Sequence, residues 1–224
     1  MQVIKWGHAC VRVEHDGAVI VLDPGMFTDP AVLQGADAVL VTHEHPDHLD
    51  PARLRAAAAA NPELAVWTHP DVAAQLEDLG QRVHPVRAGD RVSVAGLDVE
   101  VHGEWHELIH PDIPRVHNVG FLLGGVLFHP GDAFTLPGRP VEVLLVPVHA
   151  PWSKTREVLD YIREVSPARA LTAHDGLLSD PGWALTSRLL GGSGLLPAGV
   201  YDPFPVGESR ELAPVARLAA EMAR

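Results

Sequence analysis

Hydrophobic and polar positions change period several times along the chain. Residues 2–22 read as strands: Val11-Arg12-Val13-Glu14 alternates, Asp16-Gly17 is a hairpin turn, and Ala18 to Leu22 is a continuous apolar run. Val39-Leu40-Val41-Thr42 repeats that short, β-branched-rich pattern and reads as a buried strand. Asp50-Pro51 has the form of an N-cap with proline at the first helical position, opening a helix over 51–60 that Asn61-Pro62 stops. A strand over Leu64 to Thr68 and a helix from Pro70 to Leu79, ended by Gly80, follow. Strands are then expected at 82–86, 91–95 and 97–102, with Gly89-Asp90 and Gly96 as turns.

Residues 103–117 lose all periodicity and carry two prolines and three histidines, which marks an ordered loop of the kind that holds binding residues. Asn118 to Leu123 and Val126 to Phe128 form a hairpin around Gly124-Gly125; no helix follows that pair, so it is turn chemistry and not a phosphate loop. A buried strand at 143–148 leads to a helix capped by Ser153 and running to about Val165. Leu171-Thr172-Ala173 is a further strand, Asp180-Pro181 starts a helix, and 191–199 is glycine-rich loop. From Ser209 the tail reads as an amphipathic helix, with Leu212, Val215, Ala216, Ala219 and Ala220 on one face. Strand–helix–strand units followed by short strands fit mixed sheets covered by helices, in one domain over 1–224.

Composition narrows the class. With 46% hydrophobic residues in 224, the chain can bury a sizeable core. A formal net charge of −12 opposes nonspecific binding to a nucleic-acid backbone, so no nucleic-acid partner is expected. The single cysteine, Cys10, excludes an internal disulfide and sits in an apolar run as a small core residue. The start lacks a secretion signal and no apolar run reaches the roughly 18 residues of a membrane span, so a cytoplasmic protein acting on a small molecule is the expectation. Oligomeric state is not legible.

The chemistry concentrates after the strand at 39–42, where His43, His45, Asp47 and His48 fall within six residues. Imidazole nitrogen and carboxylate oxygen are ligands for zinc, manganese or iron. Four such groups on so short a loop are more easily shared between two ions than crowded around one: His43 and His45 on the first, Asp47 and His48 on the second. Pro46 keeps the loop extended, because it restricts the residue before it. Asp23, at the end of another strand, could hold a ligating imidazole by its far nitrogen or cap the Asp-Pro-Gly turn.

This stretch resembles the His-x-His-x-Asp-His signature of the metallo-β-lactamase-fold superfamily and matches it without a gap. The similarity extends to Gly131-Asp132 and His174, and to Gly7-His8-Ala9-Cys10 and Leu22-Asp23-Pro24-Gly25, which are similar to the small hydrolase branch that includes ascorbate-6-phosphate lactonase-like proteins. The resemblance implies an α/β (α+β) fold, a four-layer αββα sandwich of two mixed sheets flanked by helices. It implies two divalent metal ions, zinc first with manganese or iron also suited. Asp132 would bridge them, with Asp47, His48 and His174 completing the second site. The first site needs a third histidine, for which His106, His110 and His117 compete; His106, just after the 97–102 strand, suits the family pattern best.

The expected activity is that of a dinuclear hydrolase using a metal-activated hydroxide on a lactone, a phosphorylated sugar lactone or a related ester. A phosphodiesterase on the same site, and an iron-dependent redox enzyme of the same fold, are the alternatives. Asp47 would take a proton from the attacking water, and His8 or His149 would protonate the leaving group. His110, Arg115 and Trp152 are the candidates for substrate contact, Arg115 as a two-pronged donor to a carboxylate or phosphate.

Overall fold

A computed structural model describes residues 1–212. Two seven-stranded sheets pack face to face. The first holds β1 (Gln2–Gly7), β2 (Cys10–His15), β3 (Ala18–Leu22), β4 (Ala38–Val41), β5 (Ala65–Thr68) and β6 (Val83–Pro85) in chain order. The second holds β7 (Arg91–Val94), β8 (Leu97–His102), β9 (Gly120–Leu123), β10 (Leu127–His129), β11 (Val143–Pro147), β12 (Arg169–Ala173) and β13 (Tyr201–Asp202). A last strand, β14 (Ser209–Glu211), returns to pair antiparallel with β1. In the first sheet the β1–β2 and β2–β3 pairs are antiparallel, and β3–β4, β4–β5 and β5–β6 are parallel. The second sheet repeats the scheme, antiparallel from β7 to β10 and parallel from β10 to β13.

The layers follow from strand alternation. In β4, Ala38 and Leu40 face the second sheet, where Val99, Phe121, Leu145 and Leu171 meet them. Val39 and Val41 face outward under Leu54 and Ala58 of helix α1 (Pro51–Ala60) and Val72 of α2 (Pro70–Gln75). On the far side, Leu144 and Val146 of β11 pack under Val158 and Ile162 of α3 (Thr155–Val165) and Leu190 of α4 (Asp180–Gly191). β4 and β11 are buried on both faces, which is why they are continuous apolar runs. The result is the expected αββα sandwich.

Three expectations are corrected. The helix from Pro70 stops at Gln75; a separate turn of 3-10 helix spans Glu77–Arg82, and Gly80 within it takes φ 62°. Ser153 does not cap α3: its hydroxyl closes a turn on Ala150, and Lys154 is the flanking residue, its N–H donating to Glu157 at 2.9 Å. Residues Ser209 to Glu211 are a strand, because their backbone completes the edge of β1. The rest of the expected terminal helix, with Val215, Ala216, Ala219 and Ala220, lies outside the described residues. No helix among the described residues is long and apolar enough to cross a membrane.

Candidate metal centre

The ligand loop begins one residue after β4 and is held from both ends. His45 O accepts from His48 N and Leu49 N, both at 2.9 Å, turning the chain. Asp50 then caps α1 by accepting from Ala52 N and Arg53 N at 3.1 Å. Behind the loop, Met26 N donates to Pro46 O at 2.8 Å, and Gly25 lies so close that a Cβ there would stand 2.0 Å from the Asp47 carbonyl. Asp132 is presented by a second tight turn. Gly131 takes φ 65°, a Cβ on it would meet Asn118 Oδ1 at 2.2 Å, and that same oxygen accepts from Asp132 N at 3.0 Å. His174 ends β12 in the left-handed region at φ 56°, a strained conformation for a non-glycine residue that its N–H bond to His8 O at 3.0 Å helps hold.

These turns bring together His43, His45 and His106 as one set of donors and His8, Asp47, His48 and His174 as a second. Asp132 stands between them. Its Oδ1 is 3.1 Å from His48 Nε2, and its Oδ2 is 3.0 Å from His174 Nε2 and 3.4 Å from His106 Nε2.

The far nitrogens decide how each ring presents itself. His48 Nδ1 donates to Asp23 Oδ2 at 2.7 Å, His106 Nδ1 to Glu107 O at 2.6 Å and His174 Nδ1 to His149 O at 2.6 Å. Thr42 Oγ1 donates to Asp23 Oδ2 at 2.8 Å, which leaves its lone pairs for His43 Nδ1–H at 3.0 Å. Fixing the proton on Nδ1 leaves each Nε2 as a bare lone pair aimed inward. The Nε2 atoms of His48, His106 and His174, with Asp132 Oδ1, are buried without a hydrogen-bond partner. Buried polar atoms in that condition each carry a penalty of about 1–3 kcal/mol. A shared cation would remove it, so the donor set fits divalent metal.

His8 is wired the other way. Its Nδ1 accepts from Gly176 N at 3.0 Å, so the proton sits on Nε2, which donates to Asp47 Oδ2 at 3.1 Å.

Burial and charge act together on these groups. Burial pushes the His43 ring well below the ordinary imidazole value and lowers His8 and His45 as well. For His48, burial is outweighed by Asp132 and Asp23, and its value rises well above the usual one, so in metal-free protein a proton occupies the Nε2 lone pair and metal binding would displace it. For Asp132, burial is outweighed by the His48 and His174 rings, which hold the carboxyl well below its ordinary range. Burial is likewise outweighed at Asp47, where the His8 bond holds the carboxyl low.

The three contenders for the third histidine separate clearly. His106 is buried among the donors, and His110 is solvent-exposed, its ring accepting from Asp112 N. His117 is engaged elsewhere: Nδ1 pairs with Asp71 at 2.7 Å, and the ring is stacked on both Trp105 and His69. Two other candidates are placed differently from expectation. The His149 side chain is exposed, and what it gives the cluster is its backbone carbonyl on His174. Trp152 donates from Nε1 to Asp132 Oδ2 at 3.0 Å, orienting a ligand-type carboxylate. Arg115 donates to the His106 carbonyl and lies over Trp105 at 5.9 Å, so part of its fork is occupied. Thr42, Asn118 and Lys5 were not anticipated. Lys5 is fully buried; it donates to the His8 and Thr172 carbonyls and pairs with Asp175 at 3.1 Å. No local pattern marks Lys5, which shares its strand face with Val3 and Gly7 while Ile4 and Trp6 lie on the other.

A β sandwich with imidazoles and carboxylates converging at one edge of both sheets defines a protein of the metallo-β-lactamase fold with the donor set of a metal-dependent hydrolase. Residues 2–174 match the beta-lactamase superfamily domain, and the chain belongs to that family. Protein Rv0786c of Mycobacterium tuberculosis is 39% identical over 185 residues, covering 80% of this chain and 86% of its own. A UPF0173 metal-dependent hydrolase of Carboxydothermus hydrogenoformans is 26% identical over 193 residues, covering 78% and 84%. Among solved structures the fold is shared with Igni18, a novel metallo hydrolase of Ignicoccus hospitalis, at a TM-score of 0.69, 18% identity and coverage of 93% and 97%.

Proposed function

We propose that the chain is a two-metal hydrolase of carbonyl esters or lactones. The observation that carries this reading is the set of inward Nε2 atoms, fixed by partners on their Nδ1 side and grouped on either side of Asp132. His43, His45 and His106 would hold one ion; Asp47, His48 and His174 the other; Asp132 would serve both. Zinc suits this imidazole-rich set, and manganese or iron are alternatives that availability could select. When bound, such ions lower the pKa of a water and polarise the substrate carbonyl.

The chain's own part is to position groups and move protons. Asp47 is 22% exposed at its side chain against 4% for Asp132, so it is the carboxylate that solvent and substrate reach. Its Oδ2 is held by His8, which leaves Oδ1 to receive a proton from the attacking water. With both ring nitrogens engaged, His8 acts as a positioning residue for Asp47 rather than as a leaving-group acid. Trp152 steadies Asp132.

The test is elemental metal content of chain purified without chelator or metal resin, followed by turnover of an ester, lactone and phosphodiester panel. About two equivalents, reduced by His48→Ala and by His106→Ala, with ester or lactone turnover, is the expected result. Full metal content in both variants would refute the ligand assignment. Turnover of phosphodiesters alone, or mainly iron with an oxidative activity, would replace the ester reading.

A further inference from the structure

A cleft of ≈ 320 Å³ opens beside the metal centre, at the small end of the range for ligand sites. Its walls are Trp6, Phe27, Leu178, Trp183 and Val206, and one imidazole, His8, separates it from the donors. The Phe27 ring meets the His8 ring edge-on at 5.4 Å, while the far side of His8 bonds Asp47. Among the described residues, no lysine or arginine lines the cleft. The single acidic side chain there, Asp175, is already engaged: Oδ1 pairs with Lys5 and Oδ2 accepts from Trp183 Nε1 at 3.1 Å.

The apolar side chains are also unusually placed. Phe27 is 43% exposed and Val206 is 62% exposed, both on this cleft. Leu108, Ile109 and Ile113, also exposed, border the opposite flank beside His45 and His106. Single exposed apolar residues need no explanation, but a group on both flanks of a reactive site does.

We propose that this cleft is the acyl subsite: it takes the uncharged, apolar part of a substrate whose scissile carbonyl lies at the metal centre. This rests on the hydrolase reading and names its substrate class. A phosphorylated sugar lactone would bring its charge to a wall with no cation and a carboxylate nearby, losing water without gaining a partner. An alkyl or aryl group brings no charge to desolvate, and each methylene it buries against Trp6, Phe27, Leu178, Trp183 or Val206 tightens binding by about fourfold.

The experiment has two readouts. The metal-loaded protein is titrated with straight-chain carboxylates from acetate to decanoate, and with glucose 6-phosphate, while the part of the fluorescence of its five tryptophans that is lost in Trp183→Phe reports on the cleft. In parallel, kcat/KM is measured for p-nitrophenyl esters of the same chain lengths. Affinity and kcat/KM are expected to rise by about fourfold per methylene until the cleft fills. Glucose 6-phosphate is expected to give no response. Trp183→Ala flattens the dependence; Val206→Asp, at an exposed position where folding is not at stake, does so by placing a charge on the rim. Metal content stays that of the parent in both. Chain-length-dependent binding without turnover of any ester supports the subsite and overturns the hydrolase reading. Turnover that is flat with chain length, unchanged in Val206→Asp, or accompanied by tighter binding of glucose 6-phosphate overturns the subsite and leaves the hydrolase reading standing. A fluorescence change that follows protein concentration and not ligand marks the face as a contact between two copies, and also overturns it.

Discussion

Replacing Asp23 by asparagine tests whether the centre is organised from behind. Asp23 is completely buried and accepts three hydrogen bonds, from Thr42 N at 2.8 Å, Thr42 Oγ1 at 2.8 Å and His48 Nδ1 at 2.7 Å. Asparagine keeps the shape but has one acceptor oxygen and turns a donor towards the other two partners. Oδ1 can still serve Thr42 N. The amide NH2 then faces His48 Nδ1, so the ring must lose its bond or move its proton to Nε2, the atom meant for metal. A hydrogen bond to a charged group contributes about 1.5–3 kcal/mol. Loss of the group behind a ligating histidine weakens metal binding about 10–100-fold, or about 1.4–2.7 kcal/mol. Both routes give roughly 2 kcal/mol, and in the proposed two-metal centre the loss should fall on the ion that His48 would hold. Competition against a chromogenic chelator resolves the two affinities: one equivalent is expected near its parent value and the other weaker by at least tenfold. A folded Asp23→Asn protein that binds both equivalents as the parent does would refute the reasoning and leave Asp23 as a turn cap.

Four further outcomes are expected. Gly25→Ala places a Cβ 2.0 Å from the Asp47 carbonyl, so the ligand loop must move; overpacking of about 1–3 kcal/mol in urea unfolding and loss of metal from the Asp47 side are expected, and parent values for both would contradict the packing. Lys5→Met leaves the buried Asp175 unpaired and should destabilise the fold by about 3–5 kcal/mol, read from urea midpoints; a neutral result would show that Asp175 finds solvent instead. In metal-stripped protein, the His48 and His174 rings outweigh burial and depress the Asp132 carboxyl, so its contribution to stability is present above the unfolded-chain value of about 3.9 and lost as pH falls through the lower folded value. Asp132→Asn should therefore flatten the fall in unfolding free energy below about pH 4, and an unchanged slope would assign that fall to other groups. Cys10 is fully buried and burial pushes its thiol up, so a disulfide reagent should find no thiol in native protein and one after denaturation.

What could be read from the chain was local. The apolar run at 39–42, the ligand spacing and the Asp50-Pro51 cap all lie within a dozen neighbouring residues, and the structure has a strand at Ala38–Val41 and a helix capped by Asp50 there. The choice between His106 and His117 was different in kind. Both sit in one irregular loop, and what separates them is that Asp71, 46 positions away from His117, takes that ring. The segment Ser209–Glu211 has a helical pattern but forms a strand, because its partner is β1, at the opposite end of the chain, and no local pattern reports such pairing. Asp23 was legible as one of two roles but not which; the answer depended on the position of His48 across a parallel strand pair. A place after a strand end suggests substrate contact for Trp152, yet its indole N–H reaches Asp132 in another turn. Local chemistry told which residues are donors; their partners are set by packing.

The repeated strand scheme explains why the centre sits where it does. In each sheet three antiparallel pairs are followed by three parallel ones, and β4, β10 and β12, from the parallel parts of the two sheets, run into the loops that bear His43, Asp132 and His174. Strand ends of this kind gather at one edge and leave backbone free for loops. Neither sheet holds a complete donor set: the first supplies the His43–His48 loop, and the second supplies His106, Asp132 and His174. The centre therefore exists only when the apolar faces of Leu40, Phe121, Leu145 and Leu171 have closed on one another. Lys5 works at the same seam, reaching from β1 in the first sheet to the Thr172 carbonyl of β12 in the second, and holding the His8 carbonyl that also accepts from His174 N. Docking of the sheets and alignment of the ligands are thus one event, and metal that binds the aligned donors must stabilise the sandwich by mass action as well as supply its chemistry.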